Sequence, residues 1–314
     1  MKKYLQIAAC AIAAGLFAQP ATAQTSYPNR IVKIIVPFSA GSLTDLLART
    51  LSDKLGTMWK QTVIVENHPG IAGTALAAKS PPDGYTLMIT SNGHTVIKLV
   101  NPNVPFDPVG DFAGVTKLAS MPMILLVPPS AKHDSLQSLI RHAQETPGKL
   151  SFASAGLAST AYIAGALLNK TKNINVVHVP YKGTPDAQTS IMRGDTDFFF
   201  SPASLSDDLI KTNKVKAVAV TGTERVASLP DVPTFKEAGV PEFEYDAWFG
   251  LMAPTGTPKD ILEKISKDVA TAMSQPDVKE RLAKQGTTVS TSTPDQFTAT
   301  LRNDTATFSE ALKK

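Results

Sequence analysis

Past the first two dozen residues, short β-branched apolar runs alternate with stretches of helical periodicity. Near-continuous apolar runs at 31–36, 62–66, 86–90, 150–153, 176–179, 197–200 and 215–220 predict strands. Runs without in-out alternation are the pattern of parallel strands covered on both faces. Between them, residues 44–55 place Leu46, Leu47, Leu51 and Leu55 on one side of a predicted helix that stops at Gly56. Further helices are predicted over 136–144, after Asp134-Ser135, and over 187–193, stopping at Gly194. Alternating strands and helices predict an open, doubly wound α/β architecture.

The rhythm changes toward the C-terminus. Thr257-Pro258-Lys259-Asp260 reads as a cap, a proline at N1 and an acid at N3, opening a helix with Ile261, Leu262, Ile265, Val269 and Met273 on one face. Thr293-Pro294-Asp295-Gln296 reads as a capping box opening a final helix with Phe297, Leu301 and Phe308 inward. No linker rich in Pro and Gly divides the chain into sequential domains. Two longer segments, 121–127 and 244–253, are read instead as crossings between domains. They divide the chain into a discontinuous domain, 24–120 plus 249–314, and a continuous one, 121–248.

The N-terminus predicts export. Lys2 and Lys3 precede an apolar run from Tyr4 to about Phe17, and Ala21-Thr22-Ala23 offers a cleavage site before Gln24. The run is too short to span a membrane, which needs about 20 residues. Ile7-Ala8-Ala9-Cys10 offers a rival lipoprotein box, but cleavage there would leave almost no apolar region before it. Residues 1–23 are therefore read as a signal peptide, and the mature chain as periplasmic. Its removal takes away Cys10, the chain's single cysteine, and leaves 29 basic against 27 acidic residues. That excludes disulfides and thiolate chemistry and gives no footprint for nucleic acid. The five histidines never fall at metal-ligand spacing, so no metal or cofactor is expected.

In open α/β sheets ligands bind beyond the carboxyl ends of the strands. Five polar, small-residue loops fall there: Pro37-Phe38-Ser39-Ala40-Gly41-Ser42-Leu43-Thr44, Thr90-Ser91-Asn92-Gly93, Ser154-Ala155-Gly156-Leu157-Ala158-Ser159-Thr160, Pro180-Tyr181-Lys182-Gly183-Thr184 and Ser201-Pro202-Ala203-Ser204. Exposed backbone N–H groups at a positive helix end accept a carboxylate, glycine admits close approach, and hydroxyls add donors. The candidate ligand residues are Phe38, Ser39, Ala40, Gly41, Ser42, Thr44, Asp45, Ser91, Asn92, Ser154, Ala155, Gly156, Ser159, Thr160, Tyr181, Lys182, Gly183 and Ser201. For any one loop the plainer reading is helix capping. Lys182 and His94 read by default as solvated surface residues, and Trp248-Phe249 as packing or a hinge. No G-x-S-x-G, G-x-x-x-x-G-K-[ST] or G-x-G-x-x-G motif is present, so catalysis has no motif behind it.

Val36-Pro37-Phe38-Ser39-Ala40-Gly41-Ser42-Leu43-Thr44-Asp45-Leu46-Leu47-Ala48-Arg49 resembles the first motif of the Bug family, the solute receptors of tripartite tricarboxylate transporters. Val65-Glu66-Asn67-His68-Pro69-Gly70, Pro82-Asp83-Gly84-Tyr85-Thr86-Leu87 and Phe106-Asp107-Pro108 continue the likeness. So do His178-Val179-Pro180-Tyr181-Lys182-Gly183, Leu229-Pro230-Asp231-Val232-Pro233-Thr234 and Trp248-Phe249-Gly250-Leu251. The resemblance covers essentially the whole mature chain. It implies a type II periplasmic-binding-protein fold, two α/β domains closing over a ligand that is usually a carboxylate, with integral-membrane transporter subunits as partners. A monomer is expected.

Departures from the family pattern bear on the ligand. The usual Gly-Gly-Ser/Thr reads Gly41-Ser42-Leu43, and Ser-Ala-Gly-Asn-Gly-Thr reads Ser154-Ala155-Gly156-Leu157-Ala158-Ser159. Tyr162 stands where histidine is common, and Phe200-Ser201 where Phe-Asp often ends a strand. If Leu43, Leu157 and Tyr162 line the cleft, the ligand is less polar than citrate, amine-free and apolar or aromatic. The opposing reading turns Leu43 and Leu157 into domain cores. At this level a periplasmic receptor for a small organic carboxylate stands beside two alternatives, a sensing protein that docks to a signalling ectodomain and a periplasmic hydrolase.

Overall fold

The computed structural model describes residues 27–133, 135–157, 159–243, 245, 247–284 and 286–312. The leader, its cleavage motif, Cys10, Asp134 and Glu244 lie outside the described residues. In chain order the elements are β1 (Val32–Val36), α1 (Leu43–Trp59), β2 (Val63–Asn67), α2 (Ile71–Ala78), β3 (Thr86–Ser91), a 3₁₀ turn (Asn92–Val96) running into α3 (Ile97–Val100), β4 (Phe112–Met121) and β5 (Met123–Val127). Next come α4 (Leu136–Glu145), β6 (Ser151–Ser154), α5 (Thr160–Lys172), β7 (Val177–Pro180), α6 (Thr184–Arg193), β8 (Phe198–Pro202) and α7 (Asp207–Lys211). The chain ends with β9 (Lys216–Val220), β10 (Ala247–Pro254), α8 (Lys259–Met273), α9 (Pro276–Ala283), β11 (Thr288–Val289) and α10 (Pro294–Leu312).

The strands form two sheets, one ordered β11-β4-β10-β3-β1-β2 and the other β7-β6-β8-β5-β9. The structure thus has two α/β lobes with open sheets, the arrangement of a type II periplasmic-binding-protein fold. All seven predicted strands are present, displaced by a residue or two. β1, β2 and β3 pair in parallel, as do β6, β7 and β8. The sheets are nonetheless mixed. β10 runs antiparallel between β3 and β4, and β5 runs antiparallel between β8 and β9. The chain passes from the first sheet to the second between Met121 and Met123, and β10 carries it back.

Helix α1 shows why the pattern folds as it does. Leu47, Leu51 and Leu55 are fully buried, each worth about 1.5–3 kcal/mol relative to exposure. Gly56 does not stop the helix. It stays helical through Trp59 and ends at Lys60 with φ 53°, because Trp59 docks onto α8 by donating its indole N–H to Asp268 at 2.6 Å. At α8, Thr257 does not cap. Its hydroxyl donates to the Pro254 carbonyl at 2.7 Å, and the helix begins at Lys259. The capping box of α10 forms as expected. Gln296 N–H donates to Thr293 Oγ1 at 3.2 Å, and Thr293 N–H to Gln296 Oε1 at 3.0 Å.

Trp248 is packing. Its ring meets Phe297 of α10 edge-on at 5.1 Å, and its indole donates to Asp304 at 2.6 Å. Phe297 lies directly on Gly250, where an added Cβ would fall 2.0 Å from the phenyl ring. Only glycine admits that contact. Among the described residues, no helix is long and apolar enough to cross a membrane.

Candidate functional site

The first candidate loop joins β1 to α1. Ser39, Ala40 and Gly41 are exposed, Phe38 and Ser42 are half-buried, and Gly41 takes φ 83°. Ser42 caps α1, accepting the Asp45 N–H at 3.2 Å, and its hydroxyl meets Thr44 Oγ1 at 2.8 Å. Thr44 and Asp45 are buried. Asp45 accepts from Gly41 N–H at 2.9 Å, Arg49 Nε at 3.0 Å and Asn67 Nδ2 at 3.0 Å. Burial pushes its carboxyl pKa upward, but bonds from Arg49, Gly41 and Asn67 outweigh that, and the net position is below the ordinary value. Asp45 thus holds the loop, with the Phe38 carbonyl tied to the same Asn67 amide at 3.2 Å.

The second loop follows β3. Ser91 and Asn92 are buried, and Asn92 donates through Nδ2 to the Tyr245 hydroxyl at 2.9 Å. Asn92 Oδ1 is buried without a hydrogen-bond partner among the described residues. His94 corrects the sequence reading, since it is buried rather than solvated. It stacks on Phe106 and meets Phe112 edge-on at 5.0 Å. Burial lowers its pKa to about 4, so the ring is neutral and its Nε2–H donates to the Pro108 carbonyl at 2.7 Å.

The remaining loops belong to the second sheet. After β6, Ser154 is fully buried, with its hydroxyl 2.6 Å from His178 Nε2 and accepting Gly156 N–H at 3.0 Å. Ala155 and Gly156 are half-buried, and Gly156 takes φ 98°. Ser159 caps α5 by accepting the Tyr162 N–H at 3.2 Å. The Thr160 carbonyl accepts the Tyr245 O–H at 2.8 Å. After β7, Tyr181 N–H donates to the Ser154 carbonyl at 2.9 Å. Lys182 is exposed, and Gly183 stands at the N-cap of α6 without a side-chain cap. Ser201 does not open a loop: β8 runs through Pro202, and Ser201 pairs with Ile124 of β5, its buried hydroxyl without a hydrogen-bond partner among the described residues.

These loops follow the C-terminal ends of β1, β3, β6 and β7, where backbone N–H groups and hydroxyls gather beside helix N-termini. Leu157 stands 55% exposed here, not in a core, while Leu43 and Tyr162 pack partly against the core. Two residues outside the candidate set also matter here: Asn67, within the motif at 65–70, braces the first loop, and Tyr245 lies in the return crossing three residues before Trp248. His178 was read within a motif but given no role. It packs against Phe152 at 5.0 Å and Tyr162 at 4.6 Å, and burial lowers its pKa.

Residues 47–314 match the sequence profile described as the tripartite tricarboxylate transporter family receptor. The chain belongs to that family. The receptor is 33% identical to Protein BugT of Bordetella pertussis over 303 residues, covering 94% of this chain and 92% of that protein. It is similar in structure to MatC of Rhodopseudomonas palustris, solved with bound malate (TM-score 0.74, 30% identity, covering 91% of this chain and all of that one). A second R. palustris protein, solved with adipate, aligns with TM-score 0.75 and 29% identity over 91% of this chain and 97% of its own. The receptor is a periplasmic solute-binding protein of a tripartite-type transport system, not an enzyme.

Proposed function

We propose that the receptor captures one small organic carboxylate between its lobes and closes over it by a hinge motion, then presents it to integral-membrane subunits. The observation that carries this reading is the pair of loops 38–42 and 181–183. They put exposed backbone and hydroxyl donors from both lobes at helix N-termini. Its relatives solved with malate and adipate support a carboxylate as the ligand class. Phe38, Ser39, Ala40, Gly41, Ser42, Thr160, Tyr181, Lys182 and Gly183 form the accessible rim. Half-buried Ala155, Gly156 and Ser159 stand beside the rim, and Thr44, Asp45, Ser91, Asn92, Ser154 and Ser201 form the buried frame behind it.

The ligand is amine-free with an apolar or aromatic body, a reading supported by exposed Leu157. The lobes divide at 24–120 plus 249–314 and at 121–248, cleavage follows Ala23, and the mature receptor is a monomer. A carboxylate panel read by thermal shift tests the ligand class. A ligand at about 100 Kd adds about 2.7 kcal/mol of stability, and no shift with any carboxylate overturns the reading.

A further inference from the structure

The geometry points to Tyr245 as a positioning residue that fixes the two ligand loops against each other without touching the ligand. Its hydroxyl carries one proton, which it donates to the Thr160 carbonyl at the start of α5, at 2.8 Å. The same oxygen therefore receives the N–H of Asn92 Nδ2 at 2.9 Å. Asn92 begins the loop after β3 in the first lobe, and Thr160 opens a helix of the second. One phenol thus joins a side chain of one lobe to the backbone of the other, from within the crossing that connects them.

The tyrosine is itself held. Its ring meets Phe308 of α10 at 6.1 Å, and α10 also reaches the second lobe through Lys170–Glu310 at 3.6 Å. Because the Tyr245 proton is committed to Thr160, the Asn92 amide has one orientation, with Oδ1 turned away from the phenol. A second close approach lies nearby in the fold. At Gly286, φ 63°, an added Cβ would stand 2.9 Å from Ser204 N, so first-lobe backbone rests on the turn that follows β8. These contacts sit near the crossings, where small angular changes displace the outer loops most. The Tyr245 hydroxyl therefore sets how far apart the outer loops stand.

The test replaces only the oxygen, with Tyr245→Phe, and reads geometry and binding separately. Spin labels at His68→Cys, after β2, and Asp186→Cys, in the first turn of α6, report the span between lobes by pulsed electron resonance without ligand; both positions are exposed. The expected result is a span distribution that broadens or shifts in Tyr245→Phe while the unfolding transition stays cooperative. An unchanged distribution, even with a lowered melting temperature, overturns the inference and leaves a merely structural hydroxyl.

The binding arm rests on the proposed carboxylate function and uses malate and adipate as probes. Tyr245→Phe is expected to weaken whichever acid binds by about tenfold, and acids with and without a hydroxyl equally. A loss confined to the hydroxylated acid would mean that Tyr245 contacts ligand, and would overturn the inference. If neither acid nor any other carboxylate binds the unmodified receptor, the functional reading fails while the span measurement still decides the role of Tyr245.

Discussion

The Asp45 carboxylate accepts the backbone N–H of Gly41 at 2.9 Å and so folds the first candidate loop back onto the start of its own helix. Arg49 and Asn67 bind the same carboxylate. Removing it takes away a buried charged acceptor that holds three donors. Asp45→Ala is expected to lower unfolding stability by about 1.5–3 kcal/mol in urea titrations. Its ligand affinity falls as well, because Gly41 is no longer held. A loss below about 0.5 kcal/mol, the range of ordinary surface substitutions, would show that the loop does not depend on this carboxylate.

His94 makes stability depend on pH in a definite direction. Its folded pKa is held to about 4 by burial, against the ordinary value of 6.5. Between those values the unfolded chain takes up the proton first. Stability therefore falls as pH drops from about 6.5 toward 4, by on the order of 3 kcal/mol. Asp45 acts lower: its folded pKa lies below the ordinary value, so its contribution is present above that value and lost on further acidification. His94→Gln keeps an N–H for the Pro108 carbonyl and is expected to flatten the slope between pH 4 and 6.5. Parallel slopes for the two proteins would show that His94 does not supply it.

The fold was legible wherever one local signal decided it. The parallel strands announced themselves as apolar runs, and Thr293 and Gln296 as a capping pair four residues long. β4 and β10 escaped as strands because Gly114, Lys117, Ser120 and Gly250 interrupt their apolar runs. β10 is visible in the sequence only within the crossing 244–253, as β5 is within 121–127, and β4 is not visible at all. Gly56 misled because a stop signal carries about 1 kcal/mol, less than the docking of Trp59 one turn later. The candidate loops are legible as glycine and hydroxyl clusters. Their bracing is not: Asn67 and Tyr245 act across 22 and 153 residues of sequence, and spacing alone carries no trace of such pairs. His94 was misread because the aromatic cage of Phe106 and Phe112 comes from later in the chain.

Truncating Thr44 and Ser159 separates framing from binding. Ser159 caps α5, so Ser159→Ala is expected to cost about 0.5–2 kcal/mol of stability. If its hydroxyl also reaches the ligand, affinity falls by the ~1.5–3 kcal/mol of a bond to a charged group. Thr44→Ser keeps the hydroxyl next to Ser42 and is expected to leave affinity near that of the unmodified receptor, while Thr44→Val weakens it. Denaturant titration and calorimetry on each variant give both quantities. Loss of stability with unchanged affinity in both Ser159→Ala and Thr44→Val would assign the pair to capping alone.

Ligand preference follows from what the second lobe leaves exposed. Leu157 presents a side chain 55% exposed in the loop leading to α5, and covering part of it with a ligand's apolar body is worth roughly 1–1.5 kcal/mol. Ammonium and hydroxyl groups set against Leu157 would be desolvated without compensation. Benzoate-type acids and simple dicarboxylates are therefore expected to outrank glutamate and citrate in competition calorimetry. Leu157→Ser is expected to erode that preference five- to tenfold while leaving the melting temperature in place, since an exposed leucine supports little of the core. Tightest binding of glutamate or citrate would place the charged body of the ligand elsewhere in the cleft, away from Leu157. An unchanged ranking in Leu157→Ser would remove this leucine from the recognition surface.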